Sequence, residues 1–557
     1  MKANKHLLLW SSVGTLAALL WAAVDENFLR DWRVIQWEVR ARLPSSQADG
    51  FTIQLRQIVS RQVGATDRCV SCHVGMAPGE SGIEGDRIFG RHPDVVHDPA
   101  SYGCTVCHGG QGRATASADA HGAVEHWPEP MLAKEYLFAG CGGCHTHLSI
   151  PNLAQLEKGR AGFEQADCLA CHKLDGRGGT FRPGGAGGQE GPDLSRVGAY
   201  GFKANWYEHH AEQKKKSASG PWLTAFGVLS QTERREIDEY LRSRVGAPGL
   251  LEAKALFHTL GCRGCHKVGG VGGDDGPDLT TAGNRDPGQL SFAQVEGGRT
   301  LTNWLKKHFR APASVVRGSN MPELGLTEKQ IDELTFYILS LRRRAYAEAL
   351  WPKDRIRAER FGTREFATDG ATLYGTFCAA CHGPKGEGMR YPGFAAFPAI
   401  GNPEFLRLAS DDFLREQIKR GRPGRRMPAW GRQEGGLSDE EIGRLVAYVR
   451  ALGKVAYEGD PKPRRWVRGD AAEGERSYAS ACASCHGDRG EGKEGPALKN
   501  QVFLDLATDS YLFKTIKNGR AGTSMIAFGA GSSVRRVLTD PEISSIVAFL
   551  RAWEEKK

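Results

Sequence analysis

Hydrophobic and polar positions fall into three regimes along the chain. Lys2 and Lys5 precede an apolar run from Leu7 to Val24, which Asp25 and Glu26 end. A run of that length spans a bilayer as a helix. No small-x-small cleavage pattern follows it, because Trp21 stands where a small residue is wanted before Ala23, so the reading is an uncleaved anchor. Basic residues ahead of the run keep that end cytoplasmic and put the rest outside. The next stretch, "FLRDWRVIQWEVRARL", places Phe28, Trp32, Ile35 and Val39 on one helical face, for a membrane surface, a partner subunit or a plain surface helix.

From about residue 60 to 155 the periodicity fades into glycine-rich and polar sequence. Beyond it a frame repeats four times. Each copy opens with a helix carrying a small residue and an aromatic: Gly159 and Phe163, Ala253 and Phe257, Gly370 and Tyr374, Gly474 and Tyr478. Each closes with an amphipathic helix: "ERREIDEYLRSR", "EKQIDELTFYILSLR", "DEEIGRLVAYVRAL" and "PEISSIVAFLRAW". The predicted organisation is an anchor (1–27), a juxtamembrane segment (28–59), a compact segment (60–155), and four units at 156–247, 248–345, 346–456 and 457–557. The fold class is mainly α.

The cysteines supply the chemistry. All 14 belong to seven Cys-x-x-Cys-His pentapeptides: Cys69/Cys72/His73, Cys104/Cys107/His108, Cys141/Cys144/His145, Cys168/Cys171/His172, Cys262/Cys265/His266, Cys378/Cys381/His382 and Cys482/Cys485/His486. This is the attachment motif of c-type haem, with two thiols bonded to one porphyrin and the histidine ligating iron. Zinc sites pair two cysteine motifs at short range, a thioredoxin-like pair occurs once, and disulfides place no histidine after every second cysteine. Seven haems are therefore expected, and haem attachment outside the cytoplasmic membrane agrees with the anchor. In a chain of 557 residues with 71 glycines, porphyrins supply much of the buried apolar surface. Haem propionates offset much of the formal charge of +9, which leaves nucleic-acid binding without support.

Between each attachment motif and its closing helix lie "GPDL" at 191, "GPDL" at 276, "FPAI" at 397 and "GPAL" at 495. With the helix pairs, this resembles the class I cytochrome c fold over residues 156–557, most clearly in "CAACHGPKGEG" and "CASCHGDRGEG". The resemblance implies that the proline carbonyl accepts the proximal histidine Nδ1–H. It also implies a methionine as sixth ligand before the closing helix, and Met321, Met427 and Met525 stand there. Thioether ligation raises the reduction potential. The first of the four units has Leu223 where the second has Met321. Either His209 or His210 then replaces the thioether, or the iron keeps an open face. His210 aligns with His308, which is redundant beside Met321, so His209 is taken as the newcomer.

The first three motifs begin at 69, 104 and 141, too close for class I units. Spare histidines His92, His97, His121, His126 and His147 surround them, and His92, His97 and His121 are the candidate distal ligands. This segment is similar to multihaem cytochromes that accompany membrane quinol-oxidising complexes. The resemblance implies an electron conduit, from such a complex to a soluble cytochrome or terminal reductase, with no catalytic side chains. Lys419, Arg420, Arg422, Arg425 and Arg426 around Met427 form a candidate patch for an acidic redox partner, or pair with propionates. The rival readings are a reductase of a small nitrogen oxyanion or peroxide, with open iron at the fourth haem, and a cytochrome subunit fixed in an oxidase or photosynthetic complex.

Overall fold

A computed structural model describes the chain apart from residues 1, 81, 84, 87, 94, 125, 126, 128, 180–190, 217–227, 343, 532–535 and 556–557, and apart from the side chains of 2, 3 and 213–216. Leu223 and His126 therefore lie outside the described residues. The fold is mainly helical, as the repeating pattern predicts.

The helix Lys2–Val24 is long and apolar enough to cross a membrane, and its leucines and tryptophans are exposed along its length. After a π-helical turn, Asp25–Leu29, and an extended Arg30, a second helix runs over Asp31–Arg42. Its Trp32, Gln36 and Val39 are buried, whereas Phe28 is exposed. Val39 packs with Val74 and Phe89, and the Gln36 amide donates to the carbonyls of Gln54 and Ser71. The chain's own first haem segment thus covers the apolar face, and residues 28–59 and 60–155 share one core. That segment's described residues form short helical turns, a ten-residue 3-10 helix over Lys134–Gly143 and a two-stranded antiparallel ribbon, Ile58–Ser60 with Ala65–Asp67.

The four repeating units share one construction. Opening helices span Leu153–Gln165, Leu250–Thr259, Gly370–Phe377 and Ala471–Ala481. Closing helices span Gln231–Arg242, Glu328–Ser340, Asp439–Gly453 and Asp540–Ala552. Every closing helix starts with a capping box: Ser230 with Glu233, Thr327 with Gln330, Ser438 with Glu441, Thr539 with Glu542. The small residue of the opening helix is where the two helices cross. A Cβ on Gly159 would lie 1.9 Å from the Glu236 carbonyl oxygen, one on Gly370 2.6 Å from that of Arg444, and one on Gly474 2.0 Å from that of Ser545. One turn later the aromatic meets the closing helix, in pairs Phe163–Tyr240, Phe257–Tyr337, Tyr374–Tyr448 and Tyr478–Phe549.

The last two units form a pseudo-symmetric pair around a common core. Asn402 donates to the Ala521 carbonyl and Asn500 to that of Pro423 (2.9 and 3.2 Å). Arg422 lies over Phe503 and Arg520 over Phe405 (4.7 and 4.9 Å), while Phe413 stacks on Tyr511 between them. The basic stretch joining the second and third units forms a helix, Lys353–Phe361, and ends on a buried ion cluster. There Glu365 receives Lys254 Nζ at 2.6 Å and the Arg263 guanidinium, beside a cavity of about 190 Å³.

Burial acts to raise Glu365, but Lys254 and Arg263 outweigh it and hold the carboxyl at about 2, below its ordinary 4.5. Lys254 itself is lowered, because burial exceeds the help from Glu365. A depressed carboxylate contributes stability that is present above pH 4.5 and lost as pH falls toward 2. Glu365→Gln strands two buried cations and is expected to cost about 3–5 kcal/mol. Unfolding midpoints across pH 5 to 2 check this, and the variant's profile should be flatter than the parent's.

Candidate haem sites

Each attachment motif forms a tight turn that presents its histidine ring beside the two thiols. None of the fourteen cysteines is in a disulfide. Burial lowers all seven proximal imidazoles, keeping them in the neutral form that ligates metal.

The two thiols of a motif are not equivalent, although the pentapeptide reads as if they were. The first thiol packs against a hydrophobic cluster in six of the seven motifs, at Cys104, Cys141, Cys168, Cys262, Cys378 and Cys482. The second stands outside those clusters. In the last motif Cys485 has a polar neighbour. It is half-buried, and its Sγ accepts a long hydrogen bond, 3.9 Å, from the hydroxyl of the exposed Ser484. The reason is local: Ser484 is the adjacent residue and offers a donor, whereas the other six motifs carry Ser71, Val106, Gly143, Ala170, Gly264 and Ala380 at that position. Of these only Ser71 has a hydroxyl, and it is buried and turned to the Arg56 carbonyl. Rotation about the Cα–Cβ bond of Cys485 breaks the contact, and a thioether there replaces it.

In the four repeating units the proximal ring is held from behind. The Nδ1–H groups of His172, His266, His382 and His486 donate to the carbonyls of Pro192, Pro277, Pro398 and Pro496, at 2.8 to 2.9 Å. That contact fixes the tautomer and turns Nε2 toward the space in front of the thiols. Three of these prolines follow a glycine that abuts the imidazole. A Cβ would approach the ring to 2.6 Å at Gly191, 2.3 Å at Gly276 and 2.8 Å at Gly495. In the third unit Phe397 takes this place and donates its N–H to the Met389 carbonyl, a different approach to the same proline contact.

The distal sides differ. In the first segment three pairs of imidazoles face one another: His73 with His121 at 6.5 Å between ring centres, His108 with His92 at 6.2 Å, and His145 with His97 at 6.2 Å. A metal–imidazole bond is about 2 Å, so two rings on opposite sides of one ion have centres about 6 Å apart. His92 Nδ1–H donates to the Pro93 carbonyl, leaving Nε2 free on that ring. His147 instead bonds Thr146 and lines the cavity near Glu365.

In the first repeating unit the ring that approaches His172 belongs to His210, at 5.9 Å. His210 donates Nδ1–H to the Trp206 carbonyl, the same orientation device as on the proximal side. His209 makes its ring contact with His210 at 6.3 Å. Successive residues of a helix point about 100° apart, so the two cannot both face His172. Sequence reasoning set His210 aside because it aligns with His308. The overlooked signal was the repeated tryptophan four residues earlier, Trp206 and Trp304, which puts both histidines on the haem-facing side.

Met321, Met427 and Met525 lie half-buried in the loops before their closing helices. Two of these loops are copies, closed by Arg422 N–H to the Met427 carbonyl and Arg520 N–H to the Met525 carbonyl. Buried donors without partners also fit a haem with its two carboxylates. Trp304 Nε1 and His308 Nδ1, on parallel rings 4.9 Å apart, are unpaired near His266, as are Gln417 Nε2 and Arg520 Nε in the last two units. Burial pushes His308 down to about 4, so it stays a neutral donor.

The family model of cytochrome c matches residues 156–244 and 250–342, and that of cytochrome c oxidase, cbb3-type, subunit III matches 365–449 and 469–550. With these matches and the seven attachment turns, the chain is a multihaem c-type cytochrome, and cytochromes of this kind transfer electrons. Among curated relatives, the cbb3-type cytochrome c oxidase subunit FixP of Bradyrhizobium diazoefficiens is 32% identical over 163 residues, covering 28% of this chain and 51% of the relative. Subunit CcoP of Azospirillum sp. (strain B510) is 29% identical over 171 residues, covering 28% and 53%. The chain thus spans about half the length of these relatives. A reducing HAO-like protein complex of Kuenenia stuttgartiensis overlaps 33% of this chain and 96% of its own, at 18% identity and a TM-score of 0.23, too low to bear on the fold.

Gly495→Ala forces a methyl group against the His486 ring. The expected outcome is a loss of the low-spin signal of the last haem alone in electron paramagnetic resonance, with the other haems unchanged.

Proposed function

We propose that this protein is a membrane-anchored seven-haem conduit, passing electrons from a quinol-oxidising membrane complex to a soluble cytochrome or terminal reductase. The haems supply one-electron exchange, and the side chains set its direction through ligand type. The observation that carries the reading is the change of distal side along the chain. Imidazoles face imidazoles at His73/His121, His108/His92, His145/His97 and His172/His210, and methionines replace them in the last three units. Two imidazoles favour a lower potential than imidazole with thioether. Electrons therefore run downhill from the anchored end to the far end. In this assignment His210, not His209, is the distal ligand in the first repeating unit, which removes the open iron that the reductase reading needs.

The membrane side of the proposal rests on the N-terminal helix, and on the tie between the following helix and the first attachment turn through Gln36 and Ser71. The matches to FixP and CcoP favour a second reading of the partner, in which the protein is itself a subunit of a membrane oxidoreductase complex. The basic patch gives an acidic partner little support. Lys419 pairs with Asp439, Arg420 with Asp505 and Arg426 with Asp275, and the half-buried Arg422 donates to Gln417.

The test is low-temperature electron paramagnetic resonance of the oxidised protein, with carbon monoxide binding to the reduced form. The parent should be fully low-spin and exclude the gas. His210→Ala should convert one haem to a high-spin, gas-binding form, and His209→Ala should not. Redox titration that puts the methionine-ligated haems at the lowest potentials overturns the direction of flow.

A further inference from the structure

The two halves matched by different family models meet at one seam, between the units of the fifth and sixth attachment motifs. The attachment turns themselves touch there. A Cβ on Gly261 would lie 2.9 Å from Ala380 Cβ and 3.0 Å from its nitrogen, and one on Gly264 3.0 Å from the Phe377 carbonyl oxygen. Gly261 precedes Cys262 and Gly264 precedes Cys265, and both contacts fall within or beside the turn that carries Cys378 and Cys381. By contrast, among the described residues the hydrogen bonds of the turn 168–172 stay inside its own unit.

Arg426 closes this seam. Its Nε donates to Asp275 at 2.7 Å and its Nη2 to the Asn320 carbonyl at 2.9 Å, with Phe394 and Phe397 against its plane at 4.9 and 5.2 Å. Asp275 precedes Gly276, which abuts the proximal His266. Asn320 precedes Met321, and Arg426 itself precedes Met427. One guanidinium thus ties the proximal and distal loops of the fifth site to the distal loop of the sixth. Its Nη1 is buried without a partner, a donor left for a haem carboxylate. A backbone contact beside it seals the joint, Gly272 N–H to the Gly435 carbonyl at 3.1 Å.

We infer that the touching attachment turns, clasped by Arg426, would hold the fifth and sixth haems as a close electron-exchange pair. This rests on the seven-haem reading above. The chemistry the pair would supply is one-electron exchange, in which no bond or proton moves. Arg426 is a positioning residue, and its charge also favours the ferrous state on both sides.

Two measurements on the full haem-loaded chain test this. In redox titration, Arg426→Gln should lower the midpoints of the fifth and sixth haems together and leave the seventh unchanged, and Arg426→Lys should restore part of the shift. In pulsed paramagnetic resonance, removing the fifth haem by Cys262→Ala with Cys265→Ala should slow the relaxation of the sixth haem severalfold. Removing the fourth by Cys168→Ala with Cys171→Ala should not. A sixth haem indifferent to loss of the fifth, or an Arg426→Gln shift shared equally by the seventh, overturns the pairing. If the methionine ligation is wrong, these haems show bis-imidazole signals while the relaxation test reads as before, so the two failures are distinguishable.

Discussion

The structure of the four repeating units depends on one contact, the imidazole Nδ1–H given to a proline carbonyl. Without it the proximal ring turns freely about its side-chain bonds and Nε2 has no fixed direction. The contact in turn requires the chain to pass close behind the ring, which three units achieve with Gly191, Gly276 and Gly495. A proline suits the acceptor position because it offers a carbonyl and no competing N–H. Everything else in the unit serves to bring that strand of chain back to the attachment turn. The opening helix leads into the cysteines, and the closing helix crosses it at a small residue and holds the ends together.

Close backbone approach is the rule at the seams as well as within units. Gly140 of the third attachment turn sits on the Cys107 carbonyl of the second, Gly142 sits on the Ser340 carbonyl at the end of a closing helix, and Gly261 and Gly264 lie on the sixth turn. Side chains at these positions would push the turns apart. Electron exchange falls steeply with distance, so glycine in these places serves conduction as much as folding.

The attachment motifs were legible because each is a fixed pentapeptide and the repeat frame because it recurs four times, whereas the proline contact, at separations of 20, 11, 16 and 10 residues, came with the class I resemblance. The long apolar N-terminal helix was legible by length and composition alone. What the sequence hid was set mainly by contacts between distant segments. The face of Trp32 and Val39 is ordinary amphipathic sequence, and nothing local says that Val74 and Phe89 cover it. The basic cluster around Met427 read as a surface because its counter-charges, Asp275, Asp439 and Asp505, come from other parts of the chain. The inequality of Cys482 and Cys485 was hidden differently, since a motif fixes residue types and not which thiol the core covers. His210 was passed over for a related reason. Alignment with His308 compares positions, whereas the choice between His209 and His210 depends on helix phase relative to His172.

Trp206–His210 and Trp304–His308 show how one device takes two tasks. In both units a tryptophan and a histidine one helical turn apart face the haem side. Where the chain carries Met321, the histidine is held neutral by burial with an unpaired Nδ1, the posture of a donor to a haem carboxylate. In the unit without that methionine, His210 has its Nδ1–H occupied by the Trp206 carbonyl, which commits Nε2 to the space before His172. The difference is one hydrogen bond, and it converts a haem-anchoring residue into a candidate ligand. A repeat can therefore lose its thioether without leaving iron exposed, provided the imidazole already stands on the correct face. That arrangement fits a chain that keeps four similar folds while dividing them between low and high potential.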